Sequence, residues 1–471
     1  VTEIAISTNG CLALDTRQKV KFWGQNGNGQ MGTGVTTGGN PAPTDVSGLN
    51  NITAIAIEQY GCLALDTSQN VWFWGNNTNG QLGDASSNSY KIPTQVSGLT
   101  NITAIAIGQY GCLALDASKN VWFWGYNTKG QLGSGASNTY YAATPVSGLT
   151  NITAIAISTN GCLALNTSQK VKFWGNNSTG QLGNTTTTPS ICTPTDVSGL
   201  SNITSIAIGT NGCLATDVNQ NIWFWGNNTN GQLGNVGWVS TSSRYYAPTL
   251  ISGETNITTI AIGLNACLSL NTNQTVKAWG NNTNGQIGNG GSNNIYLTPT
   301  PFSGIDNPTA IAISSNGCVS LDARQKVKFW GRNSAGQVGN GLPSSVMYYA
   351  PIDVSGLSNI TAIAISPNGC LALDTRQKVK FWGNNGQGQL GTGVSTGNLT
   401  PTDVSGLSNI SAIAISDTGC LALDNSNNVW FWGKNNNGQL GDASSNSYRI
   451  PTPVSGLSNI TAIAIGQYGC L

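Results

Sequence analysis

Isoleucine alternating with alanine, serine or threonine is the first pattern met along this chain, and it returns at steady intervals to the far end. Between Asn101 and Thr150, the run Ile102-Thr103-Ala104-Ile105-Ala106-Ile107 has the period-two alternation of a β-strand. A turn at residues 108–111 leads into Cys112-Leu113-Ala114-Leu115-Asp116, a second short strand whose leucines face one way while Cys112 and Ala114 face the other. The polar turn Ala117-Ser118-Lys119-Asn120 precedes a third strand, Val121-Trp122-Phe123-Trp124, which Gly125 ends. After a Gly- and Asn-rich turn and a variable loop, Ala143-Thr144-Pro145-Val146 predicts a fourth strand, with proline where a sheet edge tolerates it.

The unit repeats. Its Trp-Gly-x-Asn-x-x-Gly-Gln-Leu-Gly phrase starts at Trp23, Trp74, Trp124, Trp174, Trp225, Trp279, Trp330, Trp382 and Trp432, a spacing of 50 to 54 residues. A fixed period of this size marks stacked supersecondary units. Four short antiparallel strands per period is the pattern of a propeller blade, and both faces of a blade are buried against its neighbours. That explains why Ile, Leu and Val share strands with Ala and Cys rather than with charges, since large side chains of one blade then meet small ones of the next. The fold predicted is all-β: about nine tandem four-stranded antiparallel blades plus a partial one.

The tryptophan-glycine, asparagine and Gly-Gln-Leu-Gly phrase resembles the regulator-of-chromosome-condensation repeat, and the resemblance covers essentially the whole chain. It implies seven-bladed propellers with four strands per blade. The family includes a nucleotide-exchange factor for a small GTPase, a plant ultraviolet-B photoreceptor and a secreted β-lactamase inhibitor, so the fold leaves function open. Family repeats often place a His before the Leu-Ala-Leu strand, where this chain has Cys. The photoreceptor's Trp-Arg-His-Thr phrase is absent, and no long insertion is in sight that could act as an exchange-factor wedge.

A second period is laid over the first. The run from Cys11 through Trp23-Gly24 returns at Cys370, Asp-Ala-Ser-Ser-Asn-Ser-Tyr at Asp84 returns at Asp442, and the stretch beginning at Asn101 returns at Asn459. Three consecutive units thus recur in order after seven repeats. Residues 1–358 are accordingly expected to form one seven-repeat propeller-like unit, and 359–471 to begin the next without a linker. Either a closed propeller carries an extension, or the blades run on as a continuous spiral or filament. The chain opens at Val1 inside a strand-like run and stops at Leu471 midway through a motif, which is expected of a piece of a longer array or of a mature product whose ends lie outside this sequence.

Composition narrows the chemistry. Only 8% of residues are charged and the net charge is +1, which leaves no basic field for nucleic acid and no polybasic patch for lipid. No apolar run is long enough for a membrane span. There is no His, and Glu occurs only at Glu3, Glu58 and Glu254, so no catalytic constellation, cofactor site or metal site is expected. Ten of the eleven cysteines share one repeat position, from Cys11 to Cys470, and are expected to be buried small hydrophobes, while Cys192 sits in a loop as the one to watch for reactivity. Asn-rich turns such as 227–231 lack the carboxylates of calcium loops and suit left-handed turns instead.

Two features point outward. Glycosylation triplets open the repeats at Asn51, Asn101, Asn151, Asn202, Asn256, Asn359, Asn409 and Asn459, and a second set follows the Trp-Gly phrase at Asn76, Asn176, Asn227 and Asn281. A repeat position that accepts either Lys or Trp carries Trp72, Trp122, Trp223 and Trp430; with Trp238 in an aromatic-rich loop these form a candidate contact surface. The expectation is a non-enzymatic extracellular or cell-surface structural array, filament-forming and glycan-bearing, whose partners are neighbouring turns or copies of itself. The alternative is a protein-binding propeller, inhibitor- or exchange-factor-like, that uses the variable loops after Gly-Gln-Leu-Gly.

Overall fold

The computed structural model describes residues 3–7, 10–36, 40–109, 111–135, 140–178, 180–208, 212–227, 244–251, 257–262, 266–341, 346–435, 446–454 and 463. They contain nine four-stranded sheets, each an antiparallel meander in which strands pair in chain order. The blades are numbered here by their first strands: Glu3–Ile6, Ile52–Glu58, Ile102–Ile107, Ile152–Ile157, Ile203–Ile208, Ile257–Ile262, Pro308–Ile313, Ile360–Ser366 and Ile410–Ile415. Blade 3 is representative, continuing through Gly111–Asp116 and Val121–Gly125 to Tyr140–Pro145.

Burial follows the alternation read from the sequence. The second strand of blade 3 is sealed, and so is its third strand apart from Trp122, with Leu113, Phe123 and Trp124 at 0% exposure. Leu113, Leu115, Val121 and Phe123 of blade 3 pack against Cys162, Ala164 and Trp174 of blade 4. The same set of large residues from one blade meets Cys, Ala and Trp of the next between blades 1 and 2, 2 and 3, and 4 and 5. It recurs between 7 and 8 and between 8 and 9, and in altered form between 6 and 7, where Ala278 takes the Phe position and Ser320 the Ala position. Large-against-small pairing is what close packing of sheet on sheet requires. Within each compact unit the first strands of successive blades approach one another, so they form the inner edge and the fourth strands the outer one.

Blades 1 to 5 form one compact unit and blades 6 to 9 a second. The 358/359 boundary expected from the seven-repeat period lies inside the second unit, between blades 7 and 8, which share a continuous core.

Candidate protein-contact surface

The repeated phrase is consumed in joining blades. The indole N–H groups of Trp74, Trp225, Trp382 and Trp432 donate to the main-chain carbonyls of Gln30, Gln181, Gln337 and Gln389 in the preceding blade, each at 2.6 Å. The cysteine thiol of the same blade reaches the same carbonyl, as from Cys62 to Gln30 at 3.8 Å. The Gln30 side chain accepts from the Asn28 N–H and donates to the Gln59 carbonyl of the next blade. The buried Asn77 carboxamide accepts from the Leu82 N–H at 2.6 Å and donates to the Ser86 carbonyl, closing the turn before the variable loop. Gly83 ends the phrase at φ +77°, and a Cβ there would stand 3.0 Å from Cδ1 of the next blade's Trp124. Tryptophan, asparagine, glutamine and glycine at these positions are therefore architecture, which leaves their surfaces unavailable to a partner.

The Lys-or-Trp position resolves into two clips within the blade. Trp72, Trp122, Trp223 and Trp430 are half-buried. Their indole N–H groups donate to Asp66, Asp116, Asp217 and Asp424 at 3.0 to 3.2 Å, and Asn70, Asn120, Asn221 and Asn428 share those carboxylates. Burial by itself would raise these carboxyls; the N–H donors outweigh it and hold all four below the usual carboxylate range. In four of the five blades where Lys replaces Trp, it pairs instead with an Asp across the sheet: Lys21 with Asp45 at 2.6 Å, Lys172 with Asp196 at 2.8 Å, Lys328 with Asp353 at 2.5 Å, and Lys380 with Asp403; Lys277 faces Pro301. Trp238 lies outside the described residues.

Both sets of glycosylation triplets have a conformational origin. Asn51, Asn101, Asn151, Asn202, Asn359 and Asn409 are exposed and hold φ between 54° and 57°, the left-handed region where Asn is the favoured side-chain-bearing residue. The Thr or Ser two positions on is the extra residue of a bulge between the first and second strands, and its hydroxyl donates inward, as from Thr103 to the Leu115 carbonyl at 3.1 Å. Blade 7 has Asn307-Pro308-Thr309, which proline bars from being a glycosylation acceptor, yet Asn307 keeps φ 48° and Thr309 still bonds Leu321. In the second set, Asn76, Asn176 and Asn281 accept from the backbone N–H two residues on, at 2.8 Å. Blade 8 makes that turn with Asn384 and Gly386, where no hydroxyl follows. Asn227 is half-buried; Asn256 and Asn459 lie outside the described residues.

Nine of the ten equivalent cysteines are buried. Burial raises their thiols, that of Cys267 to about 12. Cys192 is half-buried, and Cys470 is not among the described residues.

The exposed apolar surface collects elsewhere. Of the eight large apolar side chains that are exposed among the described residues, only Val218 sits in a turn between second and third strands. Val35, Ile92, Leu250, Ile295, Val346, Val394 and Ile450 all belong to fourth strands or to the loops leading into them. These loops cross onto the next blade: Gly34 N–H donates to the Lys91 carbonyl at 2.8 Å, and Gly393 N–H to that of Arg449 at 2.7 Å. The result is an outer rim that carries most of the exposed apolar side chains. Strand reading missed it because Ile92 and Ile450 look like ordinary strand residues until the strand is known to be the outermost.

The protein RCC2 homolog of Danio rerio is 28% identical over 197 residues, covering 36% of this chain and 39% of that protein. The ultraviolet-B receptor UVR8 of Arabidopsis thaliana is 28% identical over 143 residues, covering 30% of this chain and 32% of the receptor. The chain thus spans about a third to two-fifths of the length of these relatives. Among solved structures, human WBSCR16 superposes with a TM-score of 0.50 at 22% identity, covering 73% of this chain and 97% of that one, a likeness of fold. The sequence profile described as the regulator of chromosome condensation (RCC1) repeat matches residues 68–115, 173–216, 220–270, 381–423 and 426–471, and a second profile of that description matches 257–286.

These matches correct the function expected from composition. A family described by chromosome condensation, with relatives that are an RCC2 homolog and an ultraviolet-B receptor, replaces the extracellular or cell-surface, filament-forming structural array. Self-association, neighbouring turns and glycans fall with it as partners. The physical reason is now plain: low charge follows from blades buried on both faces, and the triplets that suggested glycans follow from left-handed turns and bulges. Repeat phrase, four-stranded blade and profile matches agree, and the chain belongs to the regulator of chromosome condensation (RCC1) repeat family.

Proposed function

We propose that this chain is a non-enzymatic, protein-binding array of propeller blades whose contact surface is the outer rim, made by the fourth strands and the loops that follow Gly-Gln-Leu-Gly. The observation that carries it is the segregation of exposed large apolar residues, seven of eight of which lie on that rim. Single exposed apolar residues are ordinary, but their confinement to one rim marks it as the face where contact would remove the most apolar surface from water. The opposite end, built from second-to-third-strand turns, is closed by its own bonds: Asp66, Asp116 and Asp424 cap the N–H groups of their turns, and Thr67 N–H bonds the Asn51 carbonyl. Trp72, Trp122, Trp223 and Trp430 then serve the rim indirectly, by seating the third strand against which the fourth is laid.

A photoreactive amino acid placed at Ile92 or Ile450, and separately at Ser68 on the far end, tests this in the source cells. The rim positions are expected to crosslink one common protein and Ser68 to crosslink none. Ile92 lies three residues from Gln95, the end of its strand level with Trp72, so it stands about 10 Å along the strand from the turn end and a short-armed photoreactive residue distinguishes them. Crosslinks from Ser68 alone would overturn the assignment.

A further inference from the structure

The fourth strands are edge strands, and their edges are already spent. Nearly every one carries a proline flanked by a threonine whose hydroxyl folds back on the carbonyl before the proline: Thr94 on Ile92 and Thr452 on Ile450, both at 3.2 Å, with the same bond from Thr195 to Thr193. Proline removes a donor and the threonine occupies an acceptor, so an incoming strand has little main chain to pair with. Whatever binds the rim reads side chains.

At the position of Ile92 the other blades carry Ala42, Ala142, Thr193, Ala247, Thr298, Ala350 and Thr400; only blades 2 and 9 present a large apolar residue, Ile92 and Ile450. The residue just before is a cation only in those two blades, Lys91 and Arg449. Each isoleucine is approached by the crossing loop of the preceding blade, which carries an exposed valine. A Cβ on Gly34 would lie 3.7 Å from Ile92 Cγ2, and one on Gly393 would lie 3.8 Å from Ile450 Cγ2, and Val35 and Val394 are the residues that follow those glycines. The four are comparably open, at 47% for Val35, 51% for Ile92, 48% for Val394 and 53% for Ile450. Lys91 and Arg449 are exposed and have no acidic partner among the described residues. Asp84, the carboxylate nearest in sequence to Lys91, is taken by Tyr90 at 2.8 Å and by Ser86.

The geometry points to two equivalent docking sites, Val35 with Ile92 and Lys91 in blades 1 and 2, and Val394 with Ile450 and Arg449 in blades 8 and 9, for a partner segment that sets a large apolar side chain beside an Asp or Glu. It rests on the rim being the binding face. The apolar pair supplies a desolvated anchor and the cation fixes the polarity of the segment, so charge complementarity selects acidic over basic partners. Each site lies within one compact unit and is complete there.

A display library of random short peptides, selected on the full chain, tests both levels. Enriched peptides are expected to pair Leu, Ile or Phe with Asp or Glu. Their affinity should fall about tenfold in Ile92→Asp/Ile450→Asp, and Lys91→Glu/Arg449→Glu should shift selection to Lys- or Arg-bearing peptides. Near-ultraviolet circular dichroism of the buried tryptophans confirms that the variants are folded. Peptides that depend on Ile92 and Ile450 but carry no acidic residue would overturn the partner class while leaving the rim as the binding face. Peptides indifferent to all four substitutions, or no enrichment over a blocked surface, would overturn the sites themselves.

Discussion

At the scale of single residues, the nine blades act as internal controls for one another. The centre of the second strand is Ala in seven blades, fully buried at Ala64, Ala114 and Ala372. Blades 6 and 7 have Ser269 and Ser320 there, and both hydroxyls are sealed without a hydrogen-bond partner among the described residues. A buried unsatisfied hydroxyl costs about 1 to 3 kcal/mol, and Ala already fits the same slot elsewhere. Ser320→Ala is therefore expected to stabilise the protein by about 1 kcal/mol, read as a higher urea midpoint at unchanged slope. The thiols give a second expectation. Burial suppresses the thiolate in all nine core cysteines, whereas Cys192 is partly open. Peptide mapping after brief alkylation at about pH 8 should find Cys192 modified and Cys11, Cys62, Cys112 and Cys162 protected until the chain is unfolded.

At the scale of the strand and blade, the Lys-or-Trp alternation is a correlated choice. Trp72 faces Gln95 across the third and fourth strands, in the register that Lys21 shares with Asp45. Trp72→Lys alone discards the indole bond to Asp66 and brings in a cation whose cross-strand neighbour is neutral. Adding Gln95→Asp recreates the clip of blades 1, 4, 7 and 8. The double variant should recover about 0.2 to 1 kcal/mol of what the single one loses, measured as the coupling term of a double-mutant cycle. Meander, blade length and buried strands were legible in the sequence because period-two alternation and the Trp-Gly phrase are direct imprints of packing. The glycan reading failed at this same scale. Asn serves a left-handed turn and Thr serves a bulge, and two unrelated structural demands two residues apart spell an acceptor triplet. Asn307-Pro308-Thr309 was the available warning, since the geometry survives there where the modification could not. The rim was illegible for a different reason: alternation says which residues share a face but not which strand ends up outermost.

For the whole molecule, acidity is where the repeated details add up. Five turn carboxylates, Asp15, Asp66, Asp116, Asp217 and Asp424, are held below their ordinary range despite burial, by N–H donors of their own turns. A carboxyl depressed in the folded state contributes stability that is fully present above its unfolded value, about 3.9, and is lost as pH falls through the folded value. Glu3, Glu58 and Asp417 run the other way. Burial raises each of them, outweighing the bonds that Glu3 accepts from the Ile55 N–H at 3.0 Å and Glu58 from the Gln59 N–H. An acid raised in the folded state favours folding when protonated, so these groups weaken the protein near neutrality and cease to do so as pH drops through their folded values. The depressed set is the larger, and melting temperature should fall steeply below about pH 4. Within that fall, Glu3→Gln separates the two sets. A glutamine oxygen can still accept from Ile55 while the buried charge is gone, so the variant should melt higher than the parent at about pH 7 and together with it at about pH 3. An equal gain at both values would show that the side chain acts through packing rather than through its charge.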